Sequence, residues 1–215
     1  MYRPYFESAA KFLGNQGIEC GIFEGRKISE LDLHELSQNF GAKIPTDLSD
    51  YLQELGDGFS LQWKLPGGDN QFFFGLSFLE DIKQELTWMQ EQLRKAISEQ
   101  RADITEEASR RLSWLPIIGI GEGGHVFCID ASFEPAPIRY HECYWESNHA
   151  IWQSAIASSL HNLVQNWSLF CFSEPVINGS HISMAVLAGK LNRMFDWERS
   201  HFKSQFDRGT TEVSL

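Results

Sequence analysis

The sequence predicts an α+β protein with a largely antiparallel, multi-stranded sheet flanked by helices. Three observations predict this class. Between Phe78 and Ile97 apolar residues recur every three or four positions, which marks an amphipathic helix. Elsewhere, short runs of β-branched and aromatic residues are joined by Gly- and Pro-rich turns, and strands joined that way pair antiparallel. Finally, the elements run helices, hairpin, long helix, strands, helices, without the regular strand–helix alternation of a doubly wound sheet.

Taken in order, residues 4–14 can form a short helix and Ile18–Phe23 a strand. Ser29 followed by Asp32 is a variant capping box, so a helix starts there. Pro45 opens a second helix to Leu55, and Gly56 or Gly58 stops it. Phe59–Lys64 and Gln71–Gly75 flank a Pro-Gly-Gly-Asp-Asn turn and form a hairpin. Ser77 with Glu80 matches the full capping box, and Phe78, Ile82, Leu86, Met89, Leu93 and Ile97 form the core face of the long helix. The charged stretch 99–111 continues this helix or forms a short second one. Trp114–Ile120, His125–Asp130 and Ile138–Trp145 are strands, the first two joined by a tight turn at Gly121–Gly124. Ile156, Leu160, Leu163 and Trp167 mark a helix over about 149–169, Ser173–Gly179 a linker, and Met184 to Phe195 a last helix.

At 215 residues, with 42% hydrophobic and 13% aromatic residues, the chain can bury a sizeable core. Its net charge is -11, from 29 acids and 18 bases. A surface this negative repels phosphates and anionic lipid, so nucleic acid and membrane are not expected partners, and a basic protein is. Solubility alone can also account for the acidity. The N-terminus has no basic run before an apolar core, and no stretch approaches the ~18 apolar residues of a membrane helix, so a cytoplasmic protein is expected. The four scattered cysteines, Cys20, Cys128, Cys143 and Cys171, are read as reduced thiols.

No catalytic motif survives its context. Gly119-Ile-Gly121-Glu-Gly123-Gly124 satisfies the dinucleotide pattern, but an apolar strand follows where the phosphate-binding helix must start, and Glu122 would repel phosphate. His125, His141, Cys143 and His149 can approach one another across strands, yet they lack the paired spacing of zinc sites. There is no nucleophile elbow. No cofactor or metal is therefore expected, and the chain is expected not to be an enzyme. Runs such as Phe72–Phe74 and Tyr144-Trp145 fit core packing on both sheet faces or an exposed binding patch.

Two segments carry a family resemblance. One runs from Gly41-Ala-Lys-Ile-Pro45 through Tyr51-Leu52 to Gly56-Asp57-Gly58. The other joins Trp114-Leu-Pro116-Ile-Ile-Gly119 to Gly121-Glu-Gly-Gly124 and the strand ending at Asp130. Together they resemble the SUKH superfamily, which includes yeast cell-wall-assembly regulators and bacterial immunity proteins. Gly56-Asp57-Gly58 departs from the Asn-Gly common in that family, and the helical segment 77–113 is long. The resemblance covers about residues 28–170 of a single domain over 1–215, with an N-terminal addition (1–27) and a C-terminal helical extension (175–215). It implies a non-enzymatic domain that binds another protein, foremost an immunity protein neutralising a toxin domain such as a basic nuclease. An intracellular regulatory scaffold is the alternative, and an undetected enzyme or small-ligand receptor a third.

The acidity is uneven. Residues 1–80 hold 12 acids and 6 bases, and residues 114–177 hold 6 acids and one base, Arg139. Residues 81–113 and 178–215 are nearly neutral, at -1 and +1. The strand-and-turn regions should therefore carry the negative face, with Asp57, Asp69, Glu122, Glu142 and Glu146 as candidate partner-binding residues.

Overall fold

A computed structural model describes residues 1–15, 17–64, 71–99, 105–120, 125–142, 155–168, 172, 177–178 and 181–182. Helix α1 (Arg3–Asn15) leads into strand β1 (Glu19–Phe23). Helices α2 (Glu30–Phe40) and α3 (Thr46–Leu55) precede β2 (Ser60–Lys64) and β3 (Gln71–Gly75). Helices α4 (Leu79–Ser98) and α5 (Thr105–Arg111) lead to β4 (Trp114–Ile120), β5 (His125–Asp130) and β6 (Ile138–Glu142). Helix α6 (Leu160–Ser168) follows, and a two-residue pair closes the described chain, β7 (Ile177–Asn178) with β8 (His181–Ile182).

The strands form two antiparallel three-stranded meanders, β1-β2-β3 and β4-β5-β6. The short connections within β2–β3, β4–β5 and β5–β6 enforce antiparallel neighbours, whereas β1 reaches its place beside β2 through α2 and α3. The seam between the sheets comes from a proline. Pro116 has no N–H for the ladder, and the β4–β5 register shifts between Pro116 and Ile118. The Ile117 carbonyl accepts instead from Ser77 N (2.9 Å), in the segment leaving β3. The Trp-Leu-Pro-Ile motif thus ties one sheet to the other.

One apolar core spans both sheets and the helices. Its centre is aromatic. Phe6 of α1 stacks on Phe172 at 4.5 Å, Phe74 of β3 meets Trp167 of α6 edge-on at 4.7 Å, and Phe127 of β5 meets the same Trp167 at 5.8 Å. The N-terminal segment is part of this core. Tyr5, Phe6, Ala9, Phe12 and Leu13 are buried on one stripe of α1, and Tyr2 just before it is buried too. Glu54 of α3 caps the start of α1, accepting from Tyr2 N (2.8 Å) and Arg3 N (2.9 Å). Burial raises the Glu54 pKa, but these two N–H groups and the terminal ammonium outweigh it and hold the carboxyl below its usual range.

Several expectations change. The Ser77–Glu80 capping box does not form; the N-cap of α4 is Phe78, which makes no side-chain cap bond. Ser77 N is spent on Ile117, and Asp57 Oδ1 takes the cap by accepting from Leu79 N at 2.8 Å. Leu79, not Phe78, enters the core. Helix α6 spans Leu160–Ser168, and Ile156, expected on a helix face, lies ahead of it: Ile156 N donates to Ile138 O (2.8 Å) and Ile138 N to Ala157 O (2.9 Å), which holds that segment beside β6. Ser159 Oγ then accepts from Asn162 N and starts the helix. Ile177–Asn178 is a short strand within the expected linker. The expected turns at 66–70 and 121–124, the stretch 143–154 and the helix marked by Met184–Phe195 lie outside the described residues.

Candidate functional site

The loop between β1 and α2 crosses the loop between α3 and β2. Arg26 N donates to Asp57 O (2.7 Å) and Asp57 N to Arg26 O (2.8 Å). The backbones approach this closely only because of glycines. A Cβ on Gly25 would lie 2.6 Å from the Gly56 carbonyl carbon, and Gly56 itself sits at φ +91°.

Charged side chains lock the crossing. Arg26 Nη2 lies 3.1 Å from Asp32 Oδ1 and 3.4 Å from Asp57 Oδ2. Asp32 closes the predicted capping box of α2, accepting from Ser29 N (2.8 Å) and Ser29 Oγ (2.6 Å) while Asp32 N donates to Ser29 Oγ. The Ser29 hydroxyl, then its backbone N–H, then Arg26 hold the Asp32 carboxyl far below the usual carboxylate range. Through Asp57, the same cluster caps α4. Two helix N-termini therefore meet at Arg26, each already occupied by a carboxylate. This leaves no anion cradle of the kind free helix N-termini provide.

Large apolar side chains stand exposed around this junction. Leu31, in the first turn of α2, is 65% exposed, Phe78 at the start of α4 is 54% exposed, and Phe23 at the end of β1 is 51% exposed. Phe78 lies over Gly58, where an added Cβ would clash with the ring edge at Cε1. Beyond Phe23, the outer face of the first sheet dips over the bare Gly21 into a shallow pocket of about 240 Å³, lined by Glu19, Gly21, Phe23, Gln62 and Lys64 among others.

Of the candidate partner-binding residues, Asp57 is placed in this junction. Its side chain is 11% exposed, and both oxygens are engaged, one on Leu79 N and one on Arg26. Its carboxylate helps to organise the fold. Glu142 pairs with His125 at the end of β5–β6 through its backbone. Its side chain, and Asp69, Glu122 and Glu146 entirely, lie outside the described residues.

The second sheet explains its own motif residues. Asp130 is buried and accepts from Ser113 Oγ (3.2 Å) and Ser132 N (3.2 Å) while pairing with Arg139 Nε at 3.2 Å. Arg139, the one base between 114 and 177, is thus a structural partner of the motif's aspartate. His141 is buried, and its Nδ1 lies 3.2 Å from Nη1 of the buried Arg111. Burial, helped by the Arg111 charge, pushes the His141 pKa down to about 3, so the ring is neutral and accepts from the guanidinium. Among the described residues no cluster of three or more His, Cys, Asp or Glu can hold a metal. Cys20 and Cys128 form no disulfide. No described helix is long and apolar enough to cross a membrane.

These features define a SUKH-type α+β domain: a glycine-bounded crossing at Gly56-Asp57-Gly58, and a bulged Trp-Leu-Pro-Ile strand running back to a buried aspartate. The family model described as the SMI1 / KNR4 family (SUKH-1) matches residues 27–166, and the chain belongs to that family. No curated protein sequence matches it. The match begins just before α2, so α1 and β1 fall outside it although they complete the core and the first sheet.

Proposed function

We propose that the chain is a non-enzymatic protein-binding domain that acts as an immunity protein, neutralising a toxin domain of basic character such as a nuclease. Membership of the SMI1 / KNR4 family, within the superfamily that includes bacterial immunity proteins, supports the class. The observation that carries the reading is the combination of exposed Phe23, Leu31 and Phe78 with a net charge of -11. Exposed aromatic and aliphatic side chains are anchors for protein interfaces, and excess negative charge steers a basic partner into contact. Nucleic-acid-cleaving toxins are commonly basic because they hold phosphates.

Co-expression with catalytically active nuclease toxin domains tests the proposal. Cells producing the chain should survive a toxin that kills cells without it, and the two proteins should co-purify. Survival without a complex, or no protection against any toxin of a broad panel, would sink the immunity reading. A stable complex with host regulatory proteins and none with toxins would favour a scaffold role.

A further inference from the structure

We infer that the partner docks on the Arg26–Asp57 junction, over Leu31, Phe78 and Phe23, through a basic segment that presents apolar side chains on one face. This rests on protein binding as the function and names the surface and the chemistry that it selects.

Proximity is the first support. Asp32 joins the first turn of α2 to Arg26, Arg26 joins Asp57, and Asp57 joins the start of α4, so Leu31 and Phe78 flank one chain of three short contacts. Lys83 Nζ, 3.5 Å from Glu35 Oε2, ties the same two helices one turn further along. Phe23 lies three residues before Arg26, on a strand paired to β2, roughly 10 Å away along the chain.

The exposure is also unforced. Helix α4 buries Leu79, Ile82 and Leu86 beside Phe78, so the core takes the neighbouring positions and leaves this ring outside. Leu31 sits between Glu30 and Asp32, where Glu or Gln would serve the helix about equally well.

Charge selects the occupant. Across residues 23–35, Asp57 and 78–83 there are seven acids (Glu24, Glu30, Asp32, Glu35, Asp57, Glu80, Asp81) and three bases (Arg26, Lys27, Lys83), and with Arg3, which pairs with Glu24, the net is -3. Of the bases, Arg26 is held by Asp32 and Asp57, and Lys83 by Glu35. Glu30, Glu80 and Asp81 are exposed on the rim. An apolar centre with an acidic rim favours a segment carrying Lys or Arg around Leu or Phe, and repels acidic surfaces.

The test uses the full chain and two synthetic amphipathic helical peptides with the same leucine face, one rimmed with lysine and one with glutamate. Fluorescence anisotropy should show saturable binding of the lysine peptide and none of the glutamate peptide. Leu31→Ser combined with Phe78→Ser should weaken the lysine peptide about tenfold or more, as loss of hot-spot anchors does. Leu31→Ser alone, which touches no core contact, should retain the wild-type melting temperature and still weaken binding. Trp88→Ser and Phe133→Ser, at exposed apolar sites elsewhere, should change nothing. Absence of saturable binding, equal binding of both peptides, or an undiminished affinity in the Leu31 and Phe78 variants would overturn the assignment. A wild-type dimer that these variants convert to monomer would assign the surface to a second copy and also overturn it. Toxin neutralisation unaffected by the double variant would reject this surface while leaving the immunity function standing. Peptide binding here without neutralisation of any toxin would do the reverse.

Discussion

Replacing Asp57 by alanine should destabilise the protein by about 1–2 kcal/mol. The figure follows from what the carboxylate does. Its Oδ1 is the acceptor that caps α4 at Leu79 N, at 2.8 Å, and Phe78 at the N-cap supplies none. Loss of an N-cap acceptor costs about 1 kcal/mol, and an under-satisfied, partly buried N–H adds up to about as much again. The Arg26 pair adds little, because exposed ion pairs are screened by water. For a chain of 215 residues the loss corresponds to roughly 3–6 °C in melting temperature. Asp57→Asn keeps an amide oxygen where the cap needs it, so it should cost clearly less than half as much. Urea unfolding of the two variants gives the difference directly, and amide exchange at Leu79 should accelerate in Asp57→Ala alone. If alanine leaves stability within about 0.3 kcal/mol of wild type, asparagine being equal to it, the cap is not what holds α4.

Other consequences can be measured on the same protein. His141 is neutral in the fold with a pKa near 3, against about 6.5 when unfolded, so its contribution is complete above that upper value and is lost as pH falls. Between neutrality and pH ~5 this linkage removes about 2 kcal/mol, and a His141→Gln variant should lack that part of the acid dependence; an unchanged pH slope would contradict it. A fragment of residues 27–166, the extent of the family match, should fail to unfold cooperatively because it lacks the apolar stripe of α1, and a sharp native-like melt would refute that role. Gly58→Ala should be destabilising on two counts, since the residue sits at φ +80° and its new methyl would clash with the Phe78 ring edge; restoring stability with Phe78→Ala as a second change would confirm the steric part.

Local signals in the sequence locate most of the fold. Strands β4 and β5 fall on the predicted residues, because apolar runs bounded by turn residues identify them, and the Ser29–Asp32 box starts α2 as expected. What sequence reasoning missed depends on distant partners. Ser77 and Glu80 satisfy the capping rule locally, but Ile117, forty residues on, claims the Ser77 N–H, and Asp57, twenty-two residues back, supplies the cap. The break before α6 has the same origin, since Ile156 and Ala157 pair with Ile138 of β6. The proposed docking surface was not legible: Phe78 fits the helical period and reads as core, and the sequence reading singled out neither Phe23 nor Leu31. Net charge pointed to a basic partner without showing which acids also hold the fold, as Asp57 and Asp130 do.

The most direct test of the central claim is titration of the chain with an inactivated basic nuclease toxin domain from which it protects cells, at low and high salt. Electrostatic steering toward an acidic surface predicts a one-to-one complex whose affinity falls about fivefold or more between ~0.05 M and ~0.5 M salt, mainly through the association rate. An affinity indifferent to salt, or no complex with any toxin that the chain is found to counter, would contradict the account.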